Sequence, residues 1–121
     1  MIAVAWFHAA TSASAAELVV WHAYRGEEAA AVEAVAQAWT ARTGEPVEMV
    51  ALPFGGFDAK VETAIPRGNG PDVFLAAHGN LGKWVAMGLV EPWDGPLDDY
   101  LPATVGAMRL DAQAWGVPIA F

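Results

Sequence analysis

Six polar or aromatic side chains, in three separate stretches of the sequence, could contact a small ligand. They are Tyr24, Arg25, Glu27, Asp58, His78 and Asn80. A guanidinium donates forked hydrogen bonds, carboxylate and amide oxygens accept them, and an aromatic ring packs against apolar surface. Tyr24 and Arg25 are the leading candidates, because a predicted loop gives neither residue a place in a core or in a helix cap.

The other candidates also have simpler structural interpretations. Glu27 fits the first turn of a predicted helix, where the helix dipole favours an acidic side chain. Asn80 fits the N-cap of another helix. His22 and His78 are expected at strand ends and, with Glu27 or Asp58, could ligate a metal ion, but ordinary polar residues lining a cleft are the simpler interpretation.

Motifs typical of enzymes are missing from the sequence. There is no phosphate-binding loop, no dinucleotide-binding glycine fingerprint, no nucleophile elbow and no HExxH zinc motif. We therefore assign no catalytic residue, no metal site and no cofactor, and we expect the protein not to be an enzyme. An α/β enzyme that uses His22 or His78 as a base stays open as an alternative without a supporting motif.

Composition excludes several classes of partner. The chain has 121 residues, a net charge of -8, 55% hydrophobic residues and no cysteine. Nucleic acid and anionic membrane surfaces are poor partners, because the sequence has no cluster of basic residues to neutralise phosphates. The length allows one domain at most.

The first 15 residues predict a secretory signal peptide. A short apolar run is followed by small residues that end in an Ala-Ser-Ala cleavage pattern at 13–15. The mature chain is then residues 16–121. Since no cysteine stands at the junction to carry a lipid anchor, we expect a free periplasmic protein rather than a lipoprotein.

Four apolar runs predict β-strands, at residues 18–21, 47–52, 72–77 and 114–121. The first is a continuous run, which is typical of a parallel strand buried on both faces. Pro118 places the fourth strand at an edge or a crossover, because proline cannot donate to a sheet ladder.

Helical periodicity separates the predicted strands. Helix one is predicted at residues 27–43 and ends at Gly44; helix three begins at Asn80, and a short helix lies near residues 104–110. The residues predicted to form the buried stripes of the first two helices are Val32, Val35, Ala36 and Trp39, then Phe57, Val61, Ala64 and Ile65. Alternating strands and helices predict an α/β fold with a mostly parallel, helix-covered sheet, which binds ligands at the carboxyl ends of its strands.

Five stretches carry a family resemblance, in the correct order and spacing. They are residues 18–28 (LVVWHAYRGEE), 43–47 (TGEPV), 68–78 (GNGPDVFLAAH), 88–92 (GLVEP) and 116–120 (GVPIA). Together they resemble extracellular solute-binding proteins of the maltose/maltodextrin-binding type.

The resemblance implies a periplasmic-binding-protein-like (type II) lobe, and a two-lobed receptor that closes on a sugar or oligosaccharide in its cleft. Such a receptor delivers the sugar to the permease subunits of an ABC importer and is expected to be a monomer at full length. Family members are several times longer, so we expect residues 16–121 to form the N-terminal part of the first lobe, truncated.

The sequence departs from the family pattern at ligand-binding positions. Maltose binders carry an Asp-Lys pair near the position of Tyr24 and Arg25, and an aromatic residue where this chain has Ala76. They also place an Asp-Arg pair at the positions of Gly79 and Asn80. The resemblance therefore implies a sugar ligand that is held by different contacts from those of maltose binders.

One alternative keeps the solute-binding fold and changes the ligand. His22, Tyr24 and Glu27 could serve a receptor for iron or another small ion. The sequence alone leaves this alternative open.

Overall fold

The computed structural model describes residues 17–119, so the predicted signal peptide and the last two residues lie outside the described residues. The elements are β1 (Leu18–His22), α1 (Gly26–Thr43), β2 (Val47–Ala51), α2 (Phe57–Ala64), β3 (Val73–Phe74), α3 (Leu81–Ala86), α4 (Pro102–Ala107), β4 (Arg109–Leu110) and β5 (Gln113–Ala114). Short 3₁₀ turns follow α2 at Ile65–Arg67 and precede α3 at His78–Asn80. Among the helices of residues 17–119, none combines the length and apolar character needed to cross a membrane.

The first three strands form a parallel sheet in the order β2-β1-β3. The central strand pairs along its whole length with β2, from Leu18 opposite Val47 to His22 opposite Ala51. On its other side Trp21 pairs with Phe74. The predicted parallel sheet is confirmed, and all three carboxyl ends meet at one edge of it.

The described core lies between the sheet and α2. Trp21 of β1 packs with Phe57, Val61 and Ala64, which are all buried. These three helical residues belong to the predicted stripe of the second helix, which is confirmed because α2 presents them to the sheet. Ile65 is partly buried against the same cluster.

The other helix, α1, has the predicted length but not the predicted burial. Gly44 ends it with a φ of 77°, and its N–H donates to the carbonyl of Thr40 at 2.8 Å, as in a left-handed helix cap. Of the predicted stripe only Ala36 is buried, whereas Val35 is 70% exposed and Trp39 is 39% exposed. The prediction that Val35 and Trp39 are buried is therefore wrong for the described residues, where no element covers that side of the helix.

A tight turn leads into β3 and fixes the start of β1. A Cβ atom on Gly70 would lie 2.5 Å from Cγ1 of Ile65, so only glycine fits there. Two residues later, the Asp72 carboxylate accepts a hydrogen bond from the N–H of Val19 at 2.8 Å, and its N–H donates to the Val19 carbonyl at 2.9 Å. These contacts give a physical reason for the glycine and aspartate of the GNGPD stretch.

The last part of the chain differs most from prediction. The third strand is confined to Val73–Phe74, and the short helix lies at Pro102–Ala107 rather than at residues 104–110. The strand predicted at residues 114–121 is wrong within the described residues, because Gln113–Ala114 instead pairs antiparallel with Arg109–Leu110 in a hairpin. Pro118 is buried outside any strand, which fits its missing N–H.

Candidate ligand-binding site

The structure places the six predicted site residues in the segments that follow the three parallel strands. Tyr24, Arg25 and Glu27 follow β1, Asp58 follows β2, and His78 with Asn80 follows β3. Ligands of parallel α/β sheets bind at this edge, where the strands end. The expected position of the six residues is therefore confirmed, although only some of them touch one another.

Asp58 and Asn80 form the one side-chain hydrogen bond within this set. The Asn80 amide donates from Nδ2 to Oδ2 of Asp58 at 2.7 Å, across the start of α2 and the start of α3. Asn80 is the N-cap residue of α3, as predicted, but its side chain makes no cap hydrogen bond, so the predicted capping by its side chain is wrong. A carboxylate is a strong hydrogen-bond acceptor, and this bond to Asp58 fixes the orientation of the Asn80 amide.

The Asp58–Asn80 pair leaves acceptors for a ligand. Within residues 17–119, neither Oδ1 of Asp58 nor Oδ1 of Asn80 receives a side-chain or backbone hydrogen bond. Both side chains are half-buried. Two oriented oxygens on half-buried side chains can accept hydrogen bonds from the hydroxyl groups of a sugar.

A second polar contact joins the same two helices one turn further along. Lys83 donates from Nζ to both carboxylate oxygens of Glu62, at 2.7 and 2.8 Å, and Trp84 donates from Nε1 to one of them at 3.1 Å. The hydrogen bond from Lys83 holds the pKa of Glu62 below its ordinary value of 4.5. These bonds fix α3 on α2 and so hold Asn80 beside Asp58.

The segment after β1 holds the two leading candidates. Tyr24 is half-buried, and its ring stacks on His22 with centroids 6.1 Å apart and an angle of 29° between the planes. Arg25 is exposed in extended backbone immediately before α1, and its carbonyl accepts a hydrogen bond from the N–H of Ala29 at 3.5 Å, but its side chain makes no hydrogen bond or ion pair with another described residue. Its guanidinium is therefore available to a ligand, whereas one face of Tyr24 is occupied.

Glu27 and His78 are exposed and contact no other predicted site residue. Glu27 lies in the first turn of α1, which fits the dipole interpretation. His78 begins the 3₁₀ turn before α3. No group of three or more His, Asp or Glu side chains between residues 17 and 119 is placed to hold a metal ion.

His22 is completely buried, which the sequence did not predict. Neither of its ring nitrogens has a hydrogen-bond partner among the described residues, an arrangement that costs about 1–3 kcal/mol per unpaired group. With no exposed surface, the imidazole makes no contact with solvent in the described residues, and no metal-holding group of side chains includes it. The structure therefore argues against His22 as a catalytic base or a ligand of iron.

Phe54 is a residue at this edge that sequence reasoning missed. It lies between β2 and α2, and its side chain is 79% exposed. The signal was present in the sequence, because an aromatic residue between Pro53 and Gly55 follows a strand and precedes a helix.

The groove between α1 and β2 is a different feature. Its volume is about 500 Å³, and its lining includes Thr40 and Ala41 near the end of α1 and Val47 at the start of β2. The groove thus lies toward the amino end of β2, away from the edge where the predicted ligand residues lie.

Comparison with known proteins decides the family. The sequence profile of bacterial extracellular solute-binding proteins matches residues 23–120. This chain belongs to that family. The resemblance to solute-binding proteins of the maltose/maltodextrin-binding type is thereby confirmed.

Relatives of this solute-binding protein are known in sequence and in structure. The maltotriose-binding protein of Pyrococcus abyssi (strain GE5 / Orsay) is 31% identical over 109 residues, which cover 86% of this chain and 24% of that protein. The GacH receptor of Streptomyces glaucescens GLA.O, solved alone and with acarbose, matches with a TM-score of 0.77 and 25% identity over 86% of this chain and 29% of that one. The maltose-maltodextrin binding protein of Alicyclobacillus acidocaldarius matches with a TM-score of 0.71 and 29% identity, over 86% of this chain and 30% of that one.

Two conclusions follow for this solute-binding protein. The fold is that of a type II periplasmic-binding-protein-like lobe, as predicted, and the described residues form part of it. The chain spans only about a quarter to three-tenths of the length of these relatives. The ligands in the names of these relatives are sugars or a sugar analogue, and none is iron.

Proposed function

We propose that this chain is the N-terminal part of a two-lobed receptor that binds a sugar or oligosaccharide between its lobes. Family membership supports this reading, as do the maltotriose and maltodextrin ligands in the names of its relatives. The observation that carries it is the Asp58–Asn80 pair, which presents two oriented acceptors where parallel sheets bind ligands.

The receptor delivers its sugar to the permease subunits of an ABC importer and acts in the periplasm as a monomer, after removal of residues 1–15. It binds without turnover and needs no cofactor. The six site residues take two roles in this proposal. Arg25, Asp58 and Asn80 hydrogen-bond sugar hydroxyls, and Tyr24 packs its free face against a ring, with Glu27 and His78 at the margin of the site.

Titration calorimetry of the full-length receptor tests the proposal. Maltose, maltotriose, mannotriose and ferric citrate are titrated into the parent protein and into Arg25→Ala and Asn80→Ala. We expect a sugar to bind the parent, and each substitution to weaken the binding of that sugar by about tenfold to a hundredfold, because losing a polar partner that the bound sugar would bury costs about 1–3 kcal/mol.

Glu45→Gln is the matched control, since Glu45 is exposed just before β2, at the opposite end of the strand from the site. It should bind the sugar as the parent does. A parent protein that binds ferric citrate and none of the sugars would refute the proposed function. Unchanged sugar affinity in both alanine variants would refute the site.

A further inference from the structure

Phe54, in the loop between β2 and α2, and Phe57, the first residue of α2, differ sharply in exposure. Phe57 is 5% exposed in the core, whereas Phe54 is 79% exposed, the largest exposure among the large apolar side chains of residues 17–119. The loop is anchored at both ends. The N–H of Leu52 donates to the carbonyl of His22 at 2.8 Å, and the N–H of Phe57 donates to the carbonyl of Phe54 at 3.3 Å. Phe54 therefore projects from an ordered turn.

The position of Phe54 relates it to the candidate site. The loop begins where β2 ends, at the same edge of the sheet as the Asp58–Asn80 pair. Within the three-stranded sheet β2 is an outer strand, and the loop that carries Phe54 leads from it into α2, whose first turn carries Asp58. Only three residues separate Phe54 from Asp58 in the sequence.

No other described aromatic ring at this edge is equally available. Tyr24 has one ring face against His22, and the residue at position 76, near the end of the β3 segment, is an alanine. Trp84 is buried, and its indole N–H is bonded to Glu62. Phe54 alone among them offers an unpaired ring to solvent, and it has no polar group that would need another partner.

We propose that Phe54 stacks on a sugar ring next to the one that the Asp58–Asn80 pair holds, and that it makes the receptor selective for longer saccharides. The inference rests on the proposed function and adds to it the length of the ligand. Sugar rings present apolar C–H faces, which pack on aromatic rings, while their hydroxyls need polar partners. One pair of polar residues and one ring at its side provide for at least two sugar units.

Calorimetry of the full-length receptor with a chain-length series separates this role from general binding. Glucose, maltose, maltotriose and maltotetraose, together with mannose, mannobiose and mannotriose, are titrated into the parent, Phe54→Ala and Phe54→Tyr. In the parent, affinity rises with chain length. In Phe54→Ala, the gain in affinity from one chain length to the next shrinks by about tenfold at one point of the series. Sugars shorter than that point keep their affinity within about twofold. Phe54→Tyr retains the ring and restores this gain in affinity.

The control is Met87→Ala, because Met87 is also exposed and apolar but lies at the far end of α3 from Asn80. Met87→Ala should leave the gain in affinity with each added sugar unit unchanged. An equal loss for all sugars in Phe54→Ala would overturn the inference, since it indicates a contact with the second lobe; so would an unchanged series. A parent that binds none of these sugars would instead refute the proposed function itself.

Discussion

The helices on the two faces of the sheet, α1 and α2, differ in how their apolar residues are covered. On one face, α2 buries Val61 completely against Trp21. On the other face, α1 buries only Ala36, and Val35 stays 70% exposed. Both helices were predicted from the same kind of apolar periodicity.

The difference shows what a helical stripe predicts. It indicates that one side of a helix will be covered, but it does not say which segment covers it. For α2 the partners are the sheet, through Trp21, and α3, and both lie among residues 17–119. For Val35 and Trp39 of α1 no covering segment lies among residues 17–119. Because the relatives are three to four times longer, we expect the remainder of the receptor to cover Val35 and Trp39.

The largest effect is expected for Trp84→Ala on the covered face. Trp84 is buried, meets Phe74 edge-to-face with centroids 5.1 Å apart, and donates to Glu62. Removing a buried indole costs about 3–5 kcal/mol of the free energy of unfolding. Urea denaturation of the parent and of Trp84→Ala, both as full-length receptors, measures this loss in the free energy of unfolding. A loss below about 1 kcal/mol would show that α3 contributes little to this face.

A matched pair of valines compares the two faces directly. Val61→Ala should cost about 2 kcal/mol, because it empties the space of two buried methyl groups. If the remainder of the receptor covers α1, Val35→Ala in the full-length receptor should cost a similar amount. A cost for Val35→Ala within about 0.5 kcal/mol would show that this side of α1 faces solvent.

The smallest effect concerns the ion pair between α2 and α3. Since the folded protein lowers the pKa of Glu62 below 4.5, its carboxylate stabilises the fold above pH 4.5, and this contribution is lost as the pH falls through the folded value. In Glu62→Gln, thermal unfolding should therefore be slightly easier at pH 7, and the difference from the parent should shrink toward pH 3. Glu45→Gln is the control. A difference that stays constant with pH would mean that the ion pair does not provide this stability.

Much of the fold could be predicted from local sequence signals. The bounds of α1, its cap at Gly44 and the buried stripe of α2 depend on residues close in the chain, and they are confirmed. The loops that carry the site were also predicted, because parallel strands end at a common edge.

The remaining features depend on contacts between distant residues. Asn80 is 22 positions from Asp58, and nothing local indicates that its amide bonds a carboxylate rather than capping its own helix. The burial of His22 depends on which elements cover the α1 side of the sheet. The hairpin at residues 109–114 replaces a predicted strand, because antiparallel pairing with a near neighbour satisfies the backbone there.

The order β2-β1-β3 also bears on how the chain is made. The first strand to leave the ribosome is the central one, and its hydrogen bonds are completed only by strands that follow. The contact between Val19 and Asp72 spans 53 positions, which takes about 3–10 s to synthesise. Both edges of the apolar Val-Val-Trp run are unpaired until β2 has emerged, and the edge that pairs with β3 stays open for the whole interval, so it can pair with other extended chains. A chaperone that binds nascent apolar segments would protect the chain until Asp72 and β3 have emerged.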